Sequence, residues 1–259
     1  MAIIRNMSEA EYSAAPGIRH STLKQMGLPT PRHAKWEIDQ PPKEKECFLT
    51  GRSLHALVLE NKRIFVAAPK ADGRTNAGKE IKARFLAENA DKIVLSADAA
   101  AAVEGMREGI MAHPGCRALV ESLIEREVSI FWAGYKARLD GVFPGGVMDL
   151  KTTKGADPRE FSKAIENFFY HTAAAHYSEG AAEVGFPCEV FRFIAVENFP
   201  PFCAALYDLD DEAKEIGWRK LLKFREVYAS CIASGIWPGY PDDPQTISLP
   251  EWAMKEGEK

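Results

Sequence analysis

Hydrophobic and polar positions alternate between residues 125 and 154, and this pattern is typical of β-strands. The segments EREVSIFWAG, YKARLDGVF and GVMDLKTTK carry the alternation and are separated by turn-forming residues. We therefore predict a three-stranded meander near the middle of the chain. Further strands are predicted at IFVAAP, CEVFRFIAVEN and FCAALYDLD, and KIVLS is predicted as a short strand or a turn.

Apolar residues spaced three and four apart predict helices around these strands. In FLTGRSLHALVLEN, the residues Leu54, Leu57 and Val58 share one face. Ser96 is a typical N-cap for the helix ADAAAAVEGMREGIMA, and a long helix near the C-terminus has an aspartate cap and a terminal glycine. We predict one α/β domain over residues 1–259, with a helical wrap at 1–50, a core at 51–235 and an irregular tail at 236–259.

The hairpin around FPGG brings two aspartates together. If FPGG is a four-residue loop, Val142 pairs with Val147, and Asp140 then falls opposite Asp149. Like charges placed opposite each other destabilise a sheet. A divalent cation is the obvious compensation.

A lysine shares this part of the hairpin. Lys151 lies two residues after Asp149 and therefore on the same face, and Arg138 falls opposite Lys151. Strict alternation places Leu139 and Gly141 on the other face. Carboxylates suit Mg²⁺, which can stabilise charge on a phosphodiester and orient a water. A solvated hairpin with scattered charges is the alternative, since D-x8-D-x-K occurs often by chance.

The composition narrows the class of protein. The chain has 259 residues, 46% of them hydrophobic, and a net charge of −4, which does not suggest a protein that coats DNA. Five cysteines without a CxxC pair argue against a structural zinc or an iron–sulfur cluster. We find neither a signal peptide nor a membrane span in the sequence, so we expect a cytoplasmic protein.

The segment RLD, followed by VMDLKTTK, resembles the PD-(D/E)XK nuclease signature, with Asp140 and then Asp149, Leu150 and Lys151 at its positions. Nearly the whole chain is similar to the RecE-type exonuclease domain (exonuclease VIII). Matching blocks in order include STLKQM, GRSLHALVLE, GRTNAGKE, SIFWAGYKARLDGV, FYHTAAAHYSEGA and ISLPEWA. The resemblance implies a PD-(D/E)XK core, in which helices flank a mixed central β-sheet.

The resemblance also implies a metal site and a catalytic lysine. Asp140 and Asp149 would hold the metal with His55 and the backbone carbonyl of Leu150, and Lys151 would lower the barrier to attack by water. Taken alone, His55 is more typical of a histidine at a core edge, bonded to the backbone.

Glu127, on the strand before the hairpin, is a candidate carboxylate for a second metal, although strand glutamates are more often solvated. The related Q-x-x-x-Y motif has Ala173 in place of glutamine here and keeps Tyr177, which we expect at the DNA. His171 or His176 could replace the glutamine.

Basic residues suggest where DNA would lie. Residues 62–84 contain seven Lys or Arg and two acids, and GRTNAGKE opens a helix whose N-terminus favours phosphate. We predict DNA contacts from Arg74, Lys79 and Lys82, and from Arg52, one helical turn before His55. A solvated helix face is the alternative.

The resemblance implies a Mg²⁺-dependent exodeoxyribonuclease, with Mn²⁺ as a substitute. Its substrate would be linear double-stranded DNA, degraded from 5′ to 3′ to leave 3′ single strands for recombination in a phage or prophage. It further implies a homo-oligomer, a tetramer, and a RecT-like single-strand annealing partner. Two alternatives stay open: a RecB-like single-strand or endonucleolytic DNase, and a degenerate module that binds DNA or a partner protein.

Overall fold

The computed structural model describes residues 1–41, 45–250 and 253 of the chain. The strands are β1 (Ala2–Ile4), β2 (Phe65–Ala67), β3 (Ile93–Leu95), β4 (Glu125–Trp132), β5 (Tyr135–Phe143), β6 (Gly146–Thr153), β7 (Val190–Glu197) and β8 (Ala204–Asp208). Six of them form a sheet in the order β1-β4-β5-β6-β7-β8, where neighbours are antiparallel except for the parallel pair β6–β7. β2 and β3 form a separate parallel pair.

Helices account for most of the remaining chain. They are α1 (Glu9–Ala14), α2 (His20–Leu23), α3 (Pro31–Asp39), α4 (Glu46–Leu59), α5 (Asn76–Glu88), α6 (Ala97–Ala112), α7 (Pro114–Glu121), α8 (Pro158–Asn167), α9 (Tyr170–Glu183) and α10 (Asp211–Ser234), with a 3₁₀ turn at Lys24–Gly27. Ser96 and Asp210 cap α6 and α10, and Gly235 ends α10 with a φ of 70°. These caps are the ones that the sequence predicts.

Helices cover both faces of the six-stranded sheet. On one face, α4, α6 and α7 pack against Met148 and Ile194; on the other, α8 and α9 pack against Val147 and Phe193. Because β7 is buried on both faces, its sequence VFRFIAVE is almost continuously apolar. The predicted mixed sheet flanked by helices is confirmed.

The N-terminal segment is not helical throughout, which corrects the predicted wrap. β1 pairs with β4 and extends the sheet by one strand. The buried ammonium of Lys136 on β5 donates to the carbonyl oxygens of Tyr12, Ser13 and Ala15 at 2.8, 3.3 and 2.6 Å. Three residues are too few for a clear alternation, so the sequence gives no signal for β1.

The C-terminal tail forms no helix or strand over the described residues 236–250. It contacts α3, where the amide of Arg32 donates to the carbonyl of Pro238 at 3.0 Å. Residues 42–44, 251, 252 and 254–259 lie outside the described residues, and they include parts of the predicted wrap, of the tail and of ISLPEWA. Within the described residues, no helix has both the length and the apolarity needed to span a membrane.

Candidate active site

The pairing of strands in the centre of the sheet is interrupted at three residues with carboxylate side chains. β4 and β5 are paired on either side of Glu127 and Asp140, but these two residues are not paired with each other. Between β5 and β6 the pairing ends at Gly141 and Met148, one residue before Asp140 and Asp149. Continuing both registers places Glu127, Asp140 and Asp149 in a row across three neighbouring strands.

Glu127 has a strained backbone. Its φ of 46° lies in the left-handed region, which is unusual for a residue within a strand. Such a conformation costs about 1–3 kcal/mol and persists only where the surrounding structure holds it, often at active sites. The interrupted strand pairing and the strained backbone therefore occur at the same residue, Glu127.

The hairpin differs in part from the prediction. Val142 pairs with Val147 as expected, but Phe143 also pairs with Gly146, so the loop has two residues rather than four. A Cβ on Gly146 would lie 1.9 Å from the carbonyl oxygen of Val190. Glycine is therefore required where β6 starts beside β7.

The predicted alternation along β5 is wrong. Leu139 and Val142, placed on opposite faces by strict alternation, both pack in the cluster beneath α9. The strand loses its alternation because pairing is interrupted between them. Arg138, the predicted partner of Lys151, turns its guanidinium to the N-terminal segment, 2.9 Å from a carboxylate oxygen of Glu9.

α4 brings His55 to the carboxylates. Leu54 beside it is fully buried, and this anchors the helix while the imidazole stays at the core edge. His55 Nε2 lies 3.1 Å from the Leu150 carbonyl oxygen, and Nδ1 lies 3.3 Å from Glu127 Oε1 and 3.5 Å from Asp140 Oδ1. We call His55, Glu127 and Asp140 the carboxylate side of the site; His55 and Glu127 line a cavity of about 530 Å³ there.

β6 holds the other half of the site. The amide of Leu150 donates to Asp140 Oδ2 at 2.8 Å, so the side chain replaces the missing strand pairing. Lys151 Nζ lies 2.6 Å from Asp149 Oδ2 and 5.1 Å from the centre of the Tyr170 ring. The approach to Asp149 is not aligned as a hydrogen bond, and this buried oxygen has no hydrogen-bond partner among the described residues.

Protonation compensates for the crowding of carboxylates. Burial would lower the pKa of His55, but Asp140 and Glu127 outweigh it and raise this pKa to about 9. Burial and the neighbouring Asp140 raise the pKa of Asp149 to about 7, against the opposing effect of Lys151. Although burial opposes it, the two aspartates also raise the pKa of Lys151. The imidazolium thus provides positive charge between Glu127 and Asp140.

These residues fit a divalent cation. One donor atom each of His55, Glu127 and Asp140 lies within 4.8 Å of the others. Asp149 is next in the row but turns towards Lys151. The structure thus brings the five predicted ligands, including the Leu150 carbonyl, into one region, and their roles stay predictions.

A second cavity lies on the other side of Lys151. It measures about 240 Å³ and is lined by five basic side chains, without a carboxylate among its described lining residues. They are Arg19, Lys24, Lys136, Arg138 and Lys151. We call Arg19, Lys24 and Lys151 the ammonium side. Sequence reasoning missed Arg19 and Lys24, because they lie more than a hundred residues before Lys151 and no spacing connects them.

Tyr177 and Ala173 also line this second cavity. The suggested replacements for the absent glutamine are bound elsewhere. His176 is buried, with Nε2 3.2 Å from the Lys136 carbonyl oxygen, and His171 Nδ1 lies 3.1 Å from that of Ile165. Neither histidine lines the cavity beside Ala173.

The other predicted DNA contacts divide into two groups. Arg52 is exposed and lines the cavity of the carboxylate side. Lys79 and Lys82 are exposed on α5, and Arg74 pairs with Asp72 at 3.1 Å. None of the last three basic residues lines either described cavity at the site.

A family model described as "PDDEXK-like domain of unknown function (DUF3799)" matches residues 20–249. The chain belongs to this family. The PDDEXK-like match includes all three residues of the carboxylate side and two of the ammonium side, with Arg19 one residue before it. A search of curated proteins finds no match.

One solved structure has a similar fold over nearly the whole chain. A protein from Eubacterium rectale described as "Putative exonuclease" is similar with a TM-score of 0.65 and 10% identity, over 98% of both chains. An alkaline exonuclease from Laribacter hongkongensis has a TM-score of 0.30 and 16% identity, over 73% of this chain and 95% of that one. At 10% identity the first likeness concerns the fold alone, and with the family match it identifies a PDDEXK-like nuclease fold.

Proposed function

We propose that this PDDEXK-like protein is a divalent-metal-dependent exodeoxyribonuclease. It degrades linear double-stranded DNA from 5′ to 3′ and leaves 3′ single strands. The observation that carries the proposal is the row of Glu127, Asp140 and Asp149, bordered by His55 and by the Lys151 ammonium. The direction of degradation is proposed from the resemblance to RecE-type exonucleases.

In this proposal the carboxylate side binds the metal and Lys151 stabilises the phosphate. A divalent cation, when bound, would supply Lewis-acid stabilisation of the charge that develops on the phosphodiester and would activate a water. His55, Glu127 and Asp140 are the groups to hold it, with Asp149 adjacent. Since Asp149 and Asp140 raise the pKa of Lys151, its ammonium stays charged at neutral pH. Lys151 therefore acts as a fixed positive charge at the phosphate rather than as the base.

Mg²⁺ is the proposed metal, and Mn²⁺ can replace it. Oxygen ligands with one imidazole suit both ions. The proposed setting is DNA recombination of a phage or prophage in the cytoplasm, with a RecT-like annealing partner. The proposed assembly is a homo-tetramer.

The test uses linear duplex DNA labelled at the 5′ end in one sample and at the 3′ end in another. We expect early release of the 5′ label with Mg²⁺, no release with EDTA, and no cleavage of a covalently closed circle. Lys151→Ala should lose cleavage. Lys163→Ala is the matched control, since Lys163 is exposed and pairs with Glu160 on α8.

Other results would contradict the proposal. Cutting of the circle would identify an endonuclease, and preference for single strands would identify a RecB-like activity. Folded protein that binds DNA without metal-dependent cleavage would be a degenerate binding module.

A further inference from the structure

The ammonium side has more positive charge than its contacts require. Of the five basic residues that line its cavity, Lys136 donates to three backbone carbonyls, Arg138 pairs with Glu9, and Lys151 lies against Asp149. Those three are accounted for by the fold.

Lys24 and Arg19 are different. Neither has an acidic partner within ion-pair distance in the described part of the chain. Burial and the charge of Lys151 lower the pKa of Lys24, and Arg19 contributes to the lowered pKa of Lys136. Cations that face each other in a cavity repel, so the free protein maintains a site that an anion would stabilise.

The cavity has basic lining residues in common with its neighbours. Arg19 and Lys24 also line a larger groove of about 630 Å³, which is lined by Arg52 as well. Arg52 in turn lines the cavity of the carboxylate side. Arg138 lines the cavities of both sides. The two cavities and the groove thus share basic lining residues, although the groove is also lined by Glu37.

The alanine at position 173 is shorter than the glutamine of the related motif. Ala173 is buried and lines the same cavity as Lys24 and Lys151. Lys24 comes from the 3₁₀ turn after α2, more than a hundred residues away in the chain, and lines the same cavity.

We propose that Lys24 takes the functional place of the absent glutamine and holds a phosphate of the bound DNA strand against Lys151. Lys24 is a positioning residue: it fixes the strand by a phosphate contact, and the cleavage groups act on the strand so placed. Arg19 adds a second cation to the same phosphate site. This inference rests on the proposed nuclease function.

The first experiment measures binding without cleavage. A fluorescein-labelled duplex is titrated in EDTA at several salt concentrations, in an Asp140→Asn background, where asparagine keeps the acceptor for the Leu150 amide. We expect Lys24→Met to weaken binding about tenfold, and the slope of log affinity against log salt to fall by about 0.7–0.9, the value for one lost phosphate contact. Lys24→Arg should keep the slope.

Lys214→Met is the matched control, because Lys214 lines none of the three described cavities at the site. A slope in Lys24→Met equal to that of Lys214→Met would overturn the inference. Thermal melting confirms that each variant is folded.

The second experiment measures cleavage with Mg²⁺. Lys24→Met should lower kcat/KM about tenfold or more, and Ala173→Gln added to Lys24→Met should restore most of it without restoring the salt slope. A double variant no better than Lys24→Met would overturn the replacement of the glutamine. If the wild-type protein binds with the expected slope but never cleaves, the proposed function fails and the phosphate site stands.

Discussion

The two sides of the site are built from different parts of the chain. The carboxylate side takes Glu127 and Asp140 from neighbouring strands and His55 from a helix packed on the sheet, and these groups contact each other directly. The ammonium side joins Lys151 to Arg19 and Lys24 from the N-terminal segment, and the charges of Lys24 and Lys151 repel each other. In the free protein the His55 imidazolium offsets the carboxylates of the first side, whereas the second side would be stabilised by an anion. β6 connects them, since Asp149 and Lys151 are two residues apart.

The largest effects are expected from substitutions of Asp140 and Lys151, which should distinguish metal binding from catalysis. Asp140→Asn should lose cleavage and weaken Mn²⁺ binding by at least about 100-fold, because a charged ligand is removed. Lys151→Met should lower kcat by about 10²–10³-fold through loss of a fixed charge at the phosphate, and should still bind Mn²⁺. Isothermal titration calorimetry and single-turnover cleavage measure the two effects. If Lys151→Met weakened Mn²⁺ binding as much as Asp140→Asn does, metal binding would depend on both sides of the site, and the separation would be wrong.

An intermediate effect concerns pH. His55, with a pKa near 9, and Asp149, with a pKa near 7, are protonated below those values, and a cation must displace the protons. Metal affinity should therefore rise between pH 6 and pH 9, by up to about tenfold per pH unit for each proton released. Calorimetry in buffers of different ionisation enthalpy counts those protons. In His55→Gln, metal affinity should change less with pH above pH 7. If its pH dependence were the same as in the wild type, His55 would not be a metal ligand.

The smallest effect is expected from α5. Replacing Arg74, Lys79 and Lys82 together by alanine should weaken DNA binding and lower the salt slope by up to about 0.9 per lost contact. The rate kcat should stay within about twofold, since none of the three lines a described cavity at the site. Salt-dependent anisotropy and steady-state cleavage test this. A large fall in kcat would place α5 at the reacting phosphate.

Local patterns in the sequence predict much of the fold. The three central strands, the pairing of Val142 with Val147 and the caps of α6 and α10 all follow from residues close in the chain. His55 and Asp140 also come within 3.5 Å of each other, as the predicted metal site requires.

Features that depend on distant contacts could not be predicted in this way. The left-handed backbone of Glu127 and the lost alternation at Leu139 arise from three strands meeting at one interrupted point. Arg19 and Lys24 reach the site because the segment before α2 pairs with the start of β5 and α2 packs against α9 and α10. No spacing in the sequence encodes that approach.

The strained backbone at Glu127 marks a place where stability and activity conflict. Glycine adopts a positive φ without steric penalty, so Glu127→Gly would relieve the strain and remove a carboxylate from the site. Selection for a stable fold alone would favour that exchange, and selection for chemistry opposes it. A glycine at this position in a related chain would therefore indicate a protein that has the same fold but has lost the catalytic activity.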